Sequence, residues 1–194
     1  RAAKRAGKRG EEEPMRIAIA GGHSKAAPGA SGYLDEYQCD RAYVAQLIPA
    51  LEAAGHEVVD CSNEAPTANA ELNTEVRLAN AARADIAVFV HLNAKGQHPG
   101  QDDDATIGTE CYYTSGNEEG RALAEALSAN VAAALGVRDR GAKTATYYVL
   151  RNTTMTAVLL EVCFVDDKDD AACWHRTPWL ALTDAVVGAV GGVK

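Results

Sequence analysis

Aromatic side chains make up only 6% of this 194-residue chain, too few for the stacking platforms that grip single-stranded nucleic acid. Among the five cysteines, Cys39, Cys61, Cys111, Cys163 and Cys173, no CxxC pair occurs, and the number is odd. That pattern argues against a disulfide framework and a thiolate zinc cluster, and for free thiols acting mainly as small buried hydrophobes. No apolar run approaches the ~18 residues needed for a membrane span. The basic start is followed by glutamates, where a signal peptide would have an apolar stretch. Clustered positive charge is confined to Arg1, Lys4, Arg5, Lys8 and Arg9; the chain after Glu13 has 14 basic and 24 acidic residues, within a net charge of -8. An acidic body disfavours phosphate backbones as partners, so no nucleic-acid function is expected.

What is present is an ordinary globular composition, 47% apolar and 24% charged. Residues 1–14 lack apolar periodicity and read as a disordered tail or linker, with Met15 as a natural start before the first strand. Residues 15–194 read as one domain with no internal repeat. Strands are expected at 16–20, 56–61, 85–92, 108–114, 147–150 and 157–162, and helices at 36–54, 67–84, 118–135 and 177–190. The runs at 85–92 (DIAVFVHL) and 157–162 (AVLLEV) are nearly all apolar, as in parallel strands covered on both faces. The alternation predicts a single-domain α/β fold: a twisted, mixed, mainly parallel sheet of about six strands with helices on both faces.

Three chemically notable residues share one topological address. His23 follows the first strand, His91 ends the third, and Glu161 lies near the end of the last buried strand. In open α/β sheets, ligands gather at the strands' carboxyl ends. Glu36, at the start of the first helix, reaches the same edge through a small-residue loop. Two His and one Glu form a standard catalytic zinc set that leaves a position for water, and a further carboxylate can take that water's proton. Each residue alone has an ordinary reading: His23 as a turn residue, His91 as a satisfied core histidine, Glu36 as a favourable helix N-terminal charge. Glu161 interrupts an apolar strand, where a lone carboxylate is costly. A Cys163–His91 nucleophile pair would leave His23 and Glu36 unexplained, although Cys163, two residues on, is expected on the strand face of Glu161. His56 reads as a surface residue, His175 as structural, and His98 and Asp102 to Asp104 as parts of a solvated loop; calcium there lacks the loop spacing.

In order along the chain, IAIAGGHS, DEYQCDRAY, RLANAARADIAVFVHLNA, GTECYYT and RGAKTATYYVLRNTTMTAVLLEVCF resemble the motifs of the type 3 zinc-dependent N-acetylmuramoyl-L-alanine amidases, a family that includes phage endolysin catalytic domains. The resemblance covers roughly residues 15–190. Met155 or Thr156 stands where the family often has proline, Cys163 where it has a small residue, and residues 97–104 match nothing in its pattern. The resemblance implies one zinc per chain on His23, Glu36 and His91, with Glu161 as general base. It implies hydrolysis of the amide between N-acetylmuramic acid and L-alanine in peptidoglycan, with Asn93 and Arg151 as candidate substrate contacts. It further implies action at the cell wall or outside the cell, reached from the host cytoplasm if the source is a phage, and admits a cell-wall-binding domain in the full-length protein. The alternatives are a zinc exopeptidase on a similar scaffold, with Arg151 gripping a terminal carboxylate, and a non-catalytic wall-binding module.

Overall fold

The structure, a computed structural model, describes residues 13–96 and 105–192. The elements run β1 (Arg16–Gly21), α1 (Glu36–Ala53), β2 (Glu57–Asp60), α2 (Ala68–Ala82), β3 (Ile86–Asn93), β4 (Thr109–Tyr113), α3 (Glu118–Leu135), β5 (Asp139–Thr144), α4 (Tyr148–Asn152), β6 (Thr156–Phe164), α5 (Lys168–Arg176) and α6 (Trp179–Gly191). One six-stranded sheet has the order β2-β1-β3-β6-β4-β5. The first four of these strands are mutually parallel, β4 is antiparallel to β6, and β5 is parallel to β4. This is the expected α/β architecture.

Alternation along the strands divides the interior in two. Ile17, Ile19, Ile86, Val88, Val90, Leu92, Val158 and Leu160 enter the larger core, beneath α1, α3 and α6. Ala18, Ala20, Ala87, Phe89, Ala157 and Leu159 enter the smaller core, beneath α2 and α4. The period of two then carries His91 and Glu161, next on the smaller-core face after Phe89 and Leu159, to the carboxyl ends of two central strands. Local chemistry sets the helix ends: the side chains of Asp35, Thr67, Asn117 and Asp167 accept from backbone N–H groups in the first turns of α1, α2, α3 and α5. Gly136 closes α3 with a left-handed φ of 72°.

Three expectations change. Residues 147–150 are not a strand: Tyr148–Asn152 form the short helix α4, fixed by Thr114 Oγ1 donating to Leu150 O and Asn80 Nδ2 donating to Asn152 O. The sixth strand is β5, a polar edge segment (DRGAKT) without the apolar pattern that marks buried strands. His56 is buried rather than on the surface, and its Nδ1 accepts from Met15 N at 3.3 Å. All five cysteines are unpaired, and no helix among the described residues is long and apolar enough to cross a membrane.

One turn apart on α2, Glu71 and Glu75 are both buried, and among the described residues the Glu75 carboxyl has no neighbour to share a proton with except Glu71. Burial, then the neighbouring Glu71, pushes the Glu75 carboxyl far above the carboxylate range. The folded protein thus keeps a proton that the unfolded chain releases above about pH 4–5. Stability contributed by the neutral form is complete below that range and is lost as pH rises. Glu75→Gln should raise the melting temperature at pH 8 by about 3 °C or more and change it little at pH 4. Thermal unfolding at the two pH values checks this; a variant less stable at both contradicts it.

Candidate metal centre and active-site cleft

At the carboxyl edge of the sheet, β1 ends in Gly21-Gly22 and turns sharply into His23, whose φ of 67° is left-handed. That conformation is uncommon for a residue with a side chain and is held by its surroundings. Gly22 N donates to Val90 O at 2.9 Å, and Arg41 Nη2 donates to His23 O and, at 2.6 Å, to Asn63 O. A Cβ on Gly21 would lie 2.9 Å from the Asp40 backbone, and one on Gly22 would lie 2.1 Å from His91 Cε1. The two glycines therefore let α1 and the His91 ring close on the strand.

Glu36 Oε1 lies 2.8 Å from His23 Nε2 and 3.2 Å from His91 Nδ1, while Oε2 accepts from Ala30 N at 2.8 Å. The two imidazoles meet edge-on, with centroids 5.0 Å apart. Burial alone would raise the Glu36 carboxyl, but hydrogen bonds from His23 and His91 hold it at about 2. Burial alone would lower His23; the hydrogen bond to Glu36 reverses this, and the charges of Glu36 and Glu71 add to it. Three ligand-type atoms from three separate chain segments thus converge on one point. Tetrahedral N and O ligands about 2.1 Å from a metal lie roughly 3.4 Å apart, close to the spacings here. The residues fit a metal ion.

A fourth member, Asp40, went unread in the sequence. It lies one turn after Glu36 on α1, is fully buried, and has no partner for either oxygen among the described residues. A carboxylate oxygen of Asp40, one of Glu36 and a ring nitrogen from each of His23 and His91 lie within 4.8 Å of one another. Burial, then the charges of Glu36 and Glu161, pushes its carboxyl well above the usual range. The i, i+4 spacing from Glu36 on a helix was the available signal.

Glu161 sits beside His91 in the β3–β6 register, with Oε2 buried and unpartnered. Burial, then the charges of Glu36 and Glu110, pushes its carboxyl up to about 8. Opposite it on β4, Glu110 accepts from Asn93 Nδ2 at 2.9 Å, Tyr112 OH at 2.6 Å, Arg140 Nε at 2.5 Å and Lys143 Nζ. Burial would raise the Glu110 carboxyl, but these donors, Arg140 first, hold it low. His23, Glu36, His91 and Glu161 line a cleft of about 290 Å³ whose other wall comes from Leu72 on α2 and from Tyr147, Tyr148 and Val149 at α4.

A family model described as N-acetylmuramoyl-L-alanine amidase matches residues 17–191. The chain belongs to this amidase family. It is similar to the endolysin of Bacillus phage SPP1, with 37% identity over 123 residues, 63% of this chain and 44% of that protein. The N-acetylmuramoyl-L-alanine amidase LytC of Bacillus subtilis (strain 168) is 36% identical over 103 residues, 52% of this chain and 20% of LytC. The solved catalytic domain of CwlV, an N-acetylmuramoyl-L-alanine amidase from Bacillus (Paenibacillus) polymyxa var. colistinus, matches with a TM-score of 0.77 at 26% identity. That match covers 93% of this chain and 99% of that domain. The chain spans less than half the length of these two curated relatives.

In this amidase-family chain, His23, Glu36, His91 and Glu161 come together, whereas the expected substrate contacts do not join them. Asn93 is bound to Glu110, and its Oδ1 accepts from Ala94 N. Arg151 is exposed on α4, outside the residues lining the cleft. Cys163 does not share the face of Glu161: the register shifts after the His91–Glu161 pair, and Cys163 enters the larger core, where burial holds its thiol far above the usual range. His98 and Asp102 to Asp104 lie outside the described residues. Tyr147, assigned to a strand from the sequence, instead stands at the cleft with its ring 5.1 Å from that of Tyr112.

Because a Cβ on Gly22 collides with the His91 ring, Gly22→Ala should fold but displace that ring. Affinity for a divalent metal, measured by competition with a chelator, should fall about tenfold or more. Gly188→Ala, whose Cβ meets only Asn130 Nδ2 at 3.8 Å, should leave the affinity unchanged. Equal affinity in the two variants would show that His91 does not hold the metal.

Proposed function

We propose that this amidase-family chain hydrolyses the amide between N-acetylmuramic acid and L-alanine in peptidoglycan, with one zinc ion on His23, Glu36 and His91 and with Glu161 as general base. The observation that carries this reading is the convergence of His23 Nε2, Glu36 Oε1 and His91 Nδ1 beside an unpartnered Glu161 Oε2 in a single cleft. Zinc suits two imidazole nitrogens and one carboxylate oxygen, and when bound it supplies Lewis acidity to a carbonyl and to water.

The remaining steps fall to this chain's own groups. Among the described residues no donor meets Oε2 of Glu161, so it is free to accept the proton of the attacking water. Its proton affinity, near neutrality, suits both that transfer and the return of the proton to the leaving amine. Leu72, Val149 and Leu159 give the cleft apolar walls, and Tyr147 and Tyr148 offer ring surface to a sugar or peptide. A binding module without catalysis would have no use for an unpartnered, high-pKa carboxylate beside a ligand set. The place of action in this reading is the cell wall, and the greater length of the relatives leaves room for a wall-binding domain in the full-length protein.

Two chemically identical substitutions test the roles. Glu161→Gln should fold and bind zinc with near-normal affinity while turnover drops roughly 10²-fold or more. Glu36→Gln should lose zinc and activity together, since a neutral amide is a poor ligand. Zinc stoichiometry and release of alanine amino termini from purified walls are the readouts. If Glu161→Gln loses zinc as severely as Glu36→Gln, Glu161 is a ligand and the assignment of the base is wrong.

A further inference from the structure

A second cleft, of about 270 Å³, opens further along the same edge of the sheet, toward β5, where Lys95, Arg138, Arg140 and Phe164 contribute to its lining. Three cations around one small cleft stand out in a chain of net charge -8. Among the described residues, neither Lys95 nor Arg138 has a carboxylate within ion-pair distance. Among the described residues, the nearby carboxylates accept hydrogen bonds elsewhere: Asp166 from Lys95 N and Gly96 N, Asp170 from Gly108 N and Phe164 N, and Asp139 from Ser128 Oγ and Gly141 N. Among the described residues, Glu110 is the one acid paired to the cluster, and it faces two cations, Arg140 and Lys143.

Arg140 is preset as a receptor. Its Nε donates to Glu110, and its guanidinium carbon lies 5.2 Å over the Phe164 ring. Both contacts fix the plane of the group, and among the described residues its two Nη nitrogens make no hydrogen bond. A guanidinium held in this way presents a fork matched to the two oxygens of a carboxylate. The Arg138 backbone is pinned too, since its carbonyl accepts from Thr109 N at 2.9 Å and a Cβ on Gly108 would lie 2.0 Å from it.

The cleft lies in line with the metal centre. His91 pairs with Glu161, Glu161 pairs with Glu110, and Arg140 flanks Glu110 on the next strand. Three strand spacings of ~4.8 Å place Arg140 roughly 14 Å across the sheet from His91. An extended peptide covers that distance in about four residues, at ~3.4 Å each.

We propose that this cleft is an anion subsite that grips a carboxylate of the substrate's peptide about four residues from the bond cut, with Arg140 as the fork and Lys95 and Arg138 supplying further charge. The proposal rests on the amidase reading above. The anionic phosphates of wall polymers share the chemistry, and the test separates the two sources. Two soluble substrates are compared: an N-acetylmuramoyl tetrapeptide with a free terminal carboxylate, and its terminal amide. For the unaltered chain, KM for the acid should be about tenfold lower, with kcat within about twofold. Arg140→Gln should abolish the preference, and so should the double variant Lys95→Gln/Arg138→Gln, which alters exposed groups alone. Arg77→Gln, exposed on α2, removes the same charge elsewhere and should retain the preference. Equal KM values for acid and amide, or a preference that survives both cleft variants, overturn the subsite. So does tighter binding of a glycerol-phosphate polymer than of the peptide acid, measured by calorimetry with loss in Arg140→Gln. If neither substrate is cut, the amidase reading fails by itself. Calorimetry with the free tetrapeptide acid and amide then decides the subsite: an Arg140-dependent preference for the acid supports it and equal binding refutes it.

Discussion

A carboxylate taken out of water must be met on both oxygens, and the carboxyl edge of this sheet is arranged around one that is. Glu36 receives the Ala30 amide on Oε2 and faces two imidazoles with Oε1. Removing any of these partners would leave charge stranded in a place with little water. The demands then spread outwards. Gly21 and Gly22 must lack side chains for α1 and His91 to approach, and His23 must accept a left-handed backbone. Arg41, five residues after Glu36, ties the loop of His23 to that of Asn63. A segment with few apolar anchors is thereby fixed by electrostatics rather than by packing.

Glu161 and Glu110 show how environment divides one residue type into two roles. They face each other across adjacent strands. Glu110 accepts from four side chains and stays ionised, whereas Glu161 has an oxygen with no donor and is pushed up to about 8. Burial pushes both upward; at Glu110 the hydrogen bonds outweigh it, whereas at Glu161 the charges of Glu36 and Glu110 add to it. Glu110 in turn fixes Arg140 and Lys143 on β5, so the order beside Glu161 and that of the basic cleft have one origin.

Much of this was legible in the sequence because polar residues that break an apolar strand are conspicuous. His91 in DIAVFVHL and Glu161 in AVLLEV announced both their strands and their own importance. The parts missed are those where tertiary context overrules local pattern. Strand β5 is a polar edge with Gly141 at a φ of 77°, so it lacks the alternation of a half-buried strand. Tyr147 to Leu150 have strand-forming side chains, yet hydrogen bonds to neighbouring loops wind most of that segment into helix. The register shift beyond Glu161 is invisible to a strict count of two, and so Cys163 was placed on the wrong face. Asp40 was hidden by its company: among the helix's ordinary polar residues, only three-dimensional burial distinguishes it.

The strand order has a consequence for assembly. His23, Glu36 and His91 all lie within the stretch ending at β3, so every proposed metal ligand is synthesised before residue 94. The strand bearing Glu161 is the last of the six, yet it is inserted between β3 and β4 rather than added at an edge. Strands β4 and β5 consequently have no native neighbour to join to β3 until β6 arrives from about seventy residues further along, a non-local pairing of the kind that slows folding. The proposed metal ligands are therefore all made about seventy residues ahead of the proposed base, and the two walls they belong to are joined only when β6 takes its place between β3 and β4.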